Sequence, residues 1–395
     1  MSLLLNQSID NTPTHSYLNI QITNNSQTDL NPQPVNFQDI RSSSFLQKPN
    51  DYYMSIIRFS LDSPSLPVFI PQIEIGQPDR NKTIYTWTMT CLSGSTVLIS
   101  QSNVMWETQD KSIPLPAQPT TQQEDSPYYY CNSYQHFYKK INDCLASCLA
   151  GLTSQIVDPS SSKLTAKAPF FQFDVNNQTA ILNCEVTQYL NTLPNPIKIY
   201  CNGPMWNLIS SFEAIQYNLS QGREYELTIR NIDGTNILQI VNPIVTPPSP
   251  PTVLYIAVQS YQEYSTTALW NPVKSIVFTS TLLPIEPTQI ATPLVFNSNV
   301  GFTTPSNNNN NFSVILTDMV ADTTDKGSGY KPMVLYNPQS EFRLIDLNGT
   351  APVNSVDIQI FWLDRFNILH KFFLWSGGSA NLKLMFRKKN FNRGY

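Results

Sequence analysis

Three histidines are the first candidates for chemistry in this chain: His15, His136 and His370. His15 falls in a polar N-terminal arm, His136 near the start of a helical pattern and His370 in a strand-like run. A hydrolytic triad or a zinc site needs a histidine held against a carboxylate, a thiol or a second histidine. None of the three has such a partner at catalytic or metal spacing, so neither site is expected. Asp318, Asp322 and Asp325 invite a calcium reading, because loops can supply oxygen ligands without a motif. The EF-hand order of acids is absent, however, and a solvated loop accounts for them. Gly327 and Gly329 stand in a loop that lacks the Gly-Lys-Ser/Thr of a phosphate-binding turn. No catalytic residue, cofactor or metal ligand is assigned.

Two further clusters could bind nucleic acid. Tyr128, Tyr129, Tyr130, Tyr134, Phe137 and Tyr138, followed by Lys139 and Lys140, could stack single-stranded bases. The helical period already places Tyr134 and Phe137 on a packing face, so burial is the preferred reading, with the other rings lining a subunit contact. From Lys383 to Arg393 the chain holds five positive residues and no acid. Such an end is most often a solvated tail. On a shell protein, Arg387, Lys388, Lys389 and Arg393 would be the candidates for contact with nucleic acid or a neighbouring subunit. The net charge of −4 excludes a protein built as a whole to coat nucleic acid.

The elements that must carry these residues are mostly strands. Thr, Ile, Val, Tyr and Phe recur between 30 prolines, and glycines number only 13. Charged residues are 13% of the 395, about half the usual share of roughly 25%. Sparse charge suits a surface buried against copies of itself. Nucleotide bias in an AT-rich genome would give the same composition, as the run Asn307 to Asn311 suggests. The six cysteines fit no disulfide framework and are expected to be reduced and intracellular, leaving sequons such as Asn81-Lys82-Thr83 unused. Met1 to Gln7 has no basic n-region, so no signal peptide is expected, and no apolar run is long enough to span a membrane.

Along the chain, Tyr17–Thr23, Tyr53–Leu61, Ile84–Leu92 and Thr96–Ser100 read as strands. A polar, proline-rich stretch from Ser102 to Pro127 reads as a linker or long loop. A long helix follows over Ser133–Leu152, with Asn132 as cap and Gln135 completing a capping box. A shorter one begins at Pro204 after Asn202. Arg223–Arg230 alternates like a strand, and Asp233-Gly234 should return it as a hairpin through Ile237–Val241. Strands resume at Val253 and continue through Met333–Tyr336 and Glu341–Leu347 to Val356–Trp362, Ile368–Trp375 and Leu382–Arg387. The division expected is a β domain of residues 1–110 and 253–395, interrupted by an α+β segment, 111–252, between proline clusters. Four strands before the interruption and four or more after it make the eight of a jelly roll.

The residues also resemble a family. Tyr52-Tyr53-Met54-Ser55-Ile56-Ile57-Arg58-Phe59, Leu66-Pro67-Val68-Phe69-Ile70-Pro71 and the strand around Trp87 carry the likeness. Tyr128 to Ile141 with Asn142, Trp270-Asn271-Pro272-Val273, and Phe361-Trp362 with Leu384 to Lys389 extend it over most of the chain. The pattern is similar to the penton, or minor capsid, proteins of virophages, small double-stranded DNA viruses with icosahedral shells. The resemblance implies a mainly β protein: a single eight-stranded jelly roll with a smaller inserted outer domain, here β with two helices. It implies a homopentamer at the capsid vertex, located in the virion and made in the host cytoplasm. It implies contact with the major capsid protein and, through the basic tail, with viral DNA. Two other readings stay open: a surface-attachment protein whose inserted domain recognises a host or giant-virus ligand, and a double jelly-roll major capsid subunit. The middle helices count against the last.

Overall fold

In the computed structural model the described residues are 15–25, 33–62, 66–117, 126–217, 222–232, 234–241, 253–285, 294–297, 301–303, 314–320, 324–325, 329–330, 333–336, 343–365, 368–374 and 376–389. The chain opens with β1 (His15–Thr23), β2 (Asn36–Ile40) and β3 (Tyr52–Asp62), then β4 (Lys82–Ser93) and β5 (Thr96–Met105). A 20-residue helix, α1 (Tyr134–Thr153), leads to β6 (Phe170–Asp174), β7 (Thr179–Glu185) and the single turn α2 (Val186–Tyr189). Then come β8 (Lys198–Cys201), α3 (Gly203–Ile209), β9 (Ala214–Gln216), β10 (Tyr225–Leu227), β11 (Ile237–Val241), β12 (Val253–Tyr261) and α4 (Thr267–Trp270). The last part holds β13 (Val273–Ser280), β14 (Leu294–Asn297), β15 (Gly301–Thr303), β16 (Val314–Met319) and β17 (Met333–Tyr336). It ends with β18 (Ser355–Asp364), β19 (Ile368–Lys371) and β20 (Ser379–Lys388).

The chain divides into two compact units. Unit 1 comprises residues 1–66, 273–323 and 332–395, and unit 2 comprises 67–272 with 324–331. The boundaries differ from those suggested by the prolines. β4 and β5 join unit 2 because β4 pairs with β8, Met89 opposite Ile199 and Trp87 opposite Cys201. The stretch after β5 is tied in as well: the Trp106 indole donates to the Tyr128 carbonyl at 2.9 Å, and Cys131 bridges to Phe69.

Unit 1 has two large sheets. In one, β1 pairs with β20, β20 with β3 and β3 with β17, all antiparallel; Ile345–Asp346 also pairs with β3. In the other, β2 and β19 pair one after the other along one edge of β18, and β13 pairs with its opposite edge and with β16; β14 and β15 extend beyond β19. Period-two alternation decides the inward faces: Leu382, Leu384 and Phe386 on β20, and Ile358, Ile360 and Trp362 on β18, are all buried. A bulge opposite Lys383 and Leu384 leaves Ile57 as the extra residue on β3. It moves the buried set from Met54 and Ile56 to Phe59 and Leu61, which is why that strand does not alternate cleanly in sequence. β18 is buried on both faces over much of its length. Phe361 is buried as well, in a cluster with Val277 and Leu369.

Unit 2 holds a five-stranded sheet of order β9-β10-β8-β4-β5 and a four-stranded sheet of order β11-β12-β7-β6. The helix α1 buries Phe137, Ile141, Cys144, Leu145, Cys148 and Leu152, the stripe its spacing requires. The Cys148 thiol lies 3.2 Å from the Trp87 carbonyl, and the Trp87 ring meets Phe171 of β6 at 5.4 Å. Helix α3 starts as expected, with the Asn202 side chain accepting from the Met205 N–H at 3.1 Å. The α1 cap does not: Ser133 is the cap residue, without a side-chain bond, and the Asn132 N–H donates to Gln109 instead.

The expected hairpin over 223–241 does not form. β10 pairs with β8 and β9, whereas β11 pairs with β12 in the other sheet. Asn236 redirects the chain: its carbonyl accepts from the Ile232 N–H, and its amide donates to the carbonyls of Arg230 and Gln259. Of the strand expected over Glu341–Leu347, only Ile345–Asp346 forms among the described residues.

Candidate assembly surfaces

The basic end of the chain starts inside the sheet, on β20. Strand pairing places Arg387 between His15 of β1 and Tyr53 of β3. The Lys383 ammonium lies 4.9 Å from the centre of the Tyr17 ring. The Lys389 ammonium lies 5.1 Å from the Tyr53 ring, pairs with the Asp346 carboxylate and reaches the Leu347 carbonyl at 3.3 Å. The Lys389 N–H donates to the Asp51 carbonyl at 2.7 Å. Lys389 is therefore stitched to unit 1, not part of a loose tail. Lys388 is half-buried at the end of β20, and Arg393 lies outside the described residues.

The histidines fall in separate places. His370, read from the sequence as lacking a partner, has one: its Nε2 is 2.8 Å from the Asp364 Oδ2, and both side chains are buried. The antiparallel pairing of β18 with β19 brings them together, and Asp364 also accepts the Ile368 N–H at 2.8 Å. The imidazole stacks on Trp362 at 3.9 Å and 14°. That arrangement ties the end of β18 to β19. The His136 Nε2 is 2.6 Å from the Glu107 carbonyl, and burial pushes its pKa below the ordinary value. His15 is exposed at the start of β1. Among the described residues no three His, Cys, Asp or Glu side chains gather as metal ligands would. Asp318 lies on β16 within 4.0 Å of Arg343; Asp322 lies outside the described residues.

The aromatic patch is packing material. Tyr129 and Phe137 are fully buried, and Tyr128, Tyr134 and Tyr138 nearly so, within this one chain. Lys140 is buried too, bonded to Glu107 and near Asp143. All six cysteines are free and buried. Beside α1 an open groove of about 580 Å³ is lined by Gln135, Tyr138, Asn142, Phe171, Phe173 and Asp174, among others. Among the described residues no helix is long and apolar enough to cross a membrane.

The described fold is mainly β, and its six thiols are all buried. In comparison with known proteins, residues 16–388 match the family model for the Sputnik minor capsid protein V18/19. The chain belongs to this family. Structural protein V19 of Sputnik virophage is 32% identical over 225 residues, 56% of this chain and 95% of that protein. An uncharacterized Sputnik protein, V18, is 29% identical over 144 residues, covering 35% and 80%. A chain of the Sputnik virophage cryo-EM structure superposes with a TM-score of 0.75 at 29% identity, over 97% of this chain and all of that one. The crystal structure of the mavirus penton protein shares the fold, with a TM-score of 0.60 at 20% identity over 95% and 99% of the two chains. Like its relatives in this family, the protein is a structural component of a virophage capsid. The resemblance read from the scattered strand motifs is the family found.

Proposed function

We propose that unit 1 is a single eight-stranded jelly roll whose main interruption is residues 67–272 of unit 2, and that five copies close into the vertex of an icosahedral shell. The order of the strands carries this reading. One sheet has the path β1-β20-β3-β17 and the other contains β2-β18-β13-β16. Following the chain, β1, β2, β3 and β13 alternate between the sheets, as do β16, β17, β18 and β20. Two Greek keys folded into a sandwich follow this path. Unit 2 enters between β3 and β13, so its role is that of an inserted outer domain. The ring would meet the major capsid protein of the same virion, with the N-terminal arm and the basic end available for neighbours.

The test is the solution mass of the purified protein by light scattering, with negative-stain images of the same fraction. Five chain masses and five-fold rings are expected. A trimer would instead favour a major capsid subunit, and a stable monomer would overturn both shell readings. The groove beside α1 favours a second role for unit 2, recognition of a surface ligand, because aromatic floors with amide rims suit small polar ligands.

A further inference from the structure

Four cross-strand rows on the outward face of β1, β20 and β3 carry charge of one sign, in a chain whose net charge is −4 and with Asp62 at the far end of β3 beyond them. Pairing sets the rows. His15, Arg387 and Tyr53 form the first, and Tyr17, Met385 and Ser55 the second. Asn19, Lys383 and Arg58 form the third, and Gln21, Asn381 and Ser60 the fourth. The alternate residues, including Leu18, Leu382, Leu384 and Phe59, are buried, so the first, third and fourth rows look away from the core, whereas in the second row Met385 and Ser55 are buried and Tyr17 is exposed. Arg58 and Asn19 are exposed, and Tyr17 is 56% exposed. No aspartate or glutamate occupies these rows. The acid at the rim, Asp346 opposite Tyr53, is ion-paired with Lys389.

We propose that this sheet face binds the phosphate backbone of double-stranded nucleic acid. Lys383 and Arg387 are four residues apart on one strand, about 14 Å at roughly 3.4 Å per residue. That distance is close to four base-pair rises, each about 3.4 Å along the duplex. Lys383 and Arg58 stand side by side on adjacent strands, which widens the stripe to two cations. The Tyr17 ring holds the Lys383 ammonium in place. Lys389, over the Tyr53 ring and paired with Asp346, continues this face just beyond the end of β20. Asn19, Gln21, Asn381 and Ser60 supply amides and a hydroxyl that can bond phosphate oxygens without reading bases. The inference goes beyond the vertex reading, and the nucleic acid meant is the genome that a shell encloses.

The experiment measures binding of the full chain to a labelled 30-base-pair DNA duplex over a series of salt concentrations. Vesicles with and without phosphatidylserine are measured in parallel. Wild type is expected to bind the duplex, weakening with salt. The double variant R58Q/K383Q, matched to wild type in melting temperature, is expected to flatten the log–log salt slope by about 1.8, or roughly 0.9 for each phosphate no longer neutralised. The control K111Q/K139Q, on unit 2, is expected to keep the wild-type slope. If the double variant is less stable, R58Q alone should flatten the slope by about 0.9. An unchanged slope in R58Q/K383Q, no duplex binding at low salt, or tighter binding to anionic vesicles than to DNA would overturn the proposal. Light scattering on the same samples separates the two readings: five-fold rings that ignore DNA sink this face alone, and DNA binding without rings sinks only the vertex.

Discussion

Phe59 and Phe278 meet edge to face, ring centres 5.1 Å apart and planes at 87°, and so join the two large sheets of unit 1. Unit 2 lies between them in the chain, so neither half of unit 1 can complete this core without the other. Both rings are fully buried. Phe59→Ala should cost about 3–5 kcal/mol, the range for a buried aromatic truncated to alanine. Thermal unfolding followed by tryptophan fluorescence would check it. A loss under about 1 kcal/mol would mean that the sheets do not depend on this contact.

Asp357 is a buried carboxylate that accepts from the Ser280 hydroxyl at 2.7 Å, from the Thr281 hydroxyl and N–H, and from the Leu282 N–H at 2.8 Å. Burial acts to raise its pKa, but these bonds outweigh it and leave the pKa below the ordinary value. A depressed folded pKa contributes stability above the unfolded pKa, about 3.9, and loses it as pH falls through the folded value. Asp357→Asn should therefore destabilise by about 1–3 kcal/mol at neutral pH. The variant should also lose less stability than wild type on acidification below about pH 4. Denaturant titrations at neutral and acid pH would show the two curves converging, and parallel curves would contradict the assignment.

Glu107 bonds both Lys111 and the buried Lys140, and these cations hold its pKa at about 2. Half of its side chain faces solvent, so the Lys111 pair should contribute about 1 kcal/mol or less. Glu107→Gln should cost more than Lys111→Gln, because it leaves the Lys140 ammonium buried with Asp143 at 3.6 Å as its remaining charge partner. Lys140→Met should be neutral or stabilising, since it removes the buried charge itself. The order of three melting temperatures decides the matter: Lys140→Met highest, Lys111→Gln next, Glu107→Gln lowest.

Gly222 has φ +80°, a conformation that side chains with a Cβ avoid. A Cβ there would sit 2.9 Å from the Thr86 Oγ1 and the Gln101 Nε2, and 3.0 Å from the Thr88 Oγ1. Gly222→Ala should destabilise unit 2 by roughly 1–3 kcal/mol through strain and crowding together. Gly94, with φ +63° and open space around its Cβ position, is the control and should cost less. Equal losses would mean that crowding contributes nothing.

Much of this molecule could be read from local pattern. The α1 stripe of Phe137, Ile141, Cys144 and Cys148, the Asn202 cap of α3 and the inward set on β20 all follow from the period of the backbone. The basic residues on β20 were visible too, but Arg58 was not associated with them. It joins their surface only because a bulge on β3 turns it outward beside Lys383. His370 and Asp364 passed as unrelated, because nothing in a six-residue separation announces the strand pairing that bonds them. The hairpin expected over 223–241 failed for a similar reason: turn residues favour a reversal, but partner choice belongs to whichever strand is already in place.

By itself, then, the sequence determined where strands and helices lie, which faces are apolar, that catalytic groupings are not spelled out, and which viral family the motifs resemble. Those properties depend on neighbours a few residues apart, and a period of 2.0 or 3.6 records them directly. Tertiary structure decided the rest: that β4 and β5 leave the first flank for unit 2, that β20 lies between β1 and β3, and that Arg58, Lys383 and Arg387 share one face. These are pairings between segments far apart in the chain. They are set by which sheet edges remain open once the other strands have closed, and no local spacing encodes that.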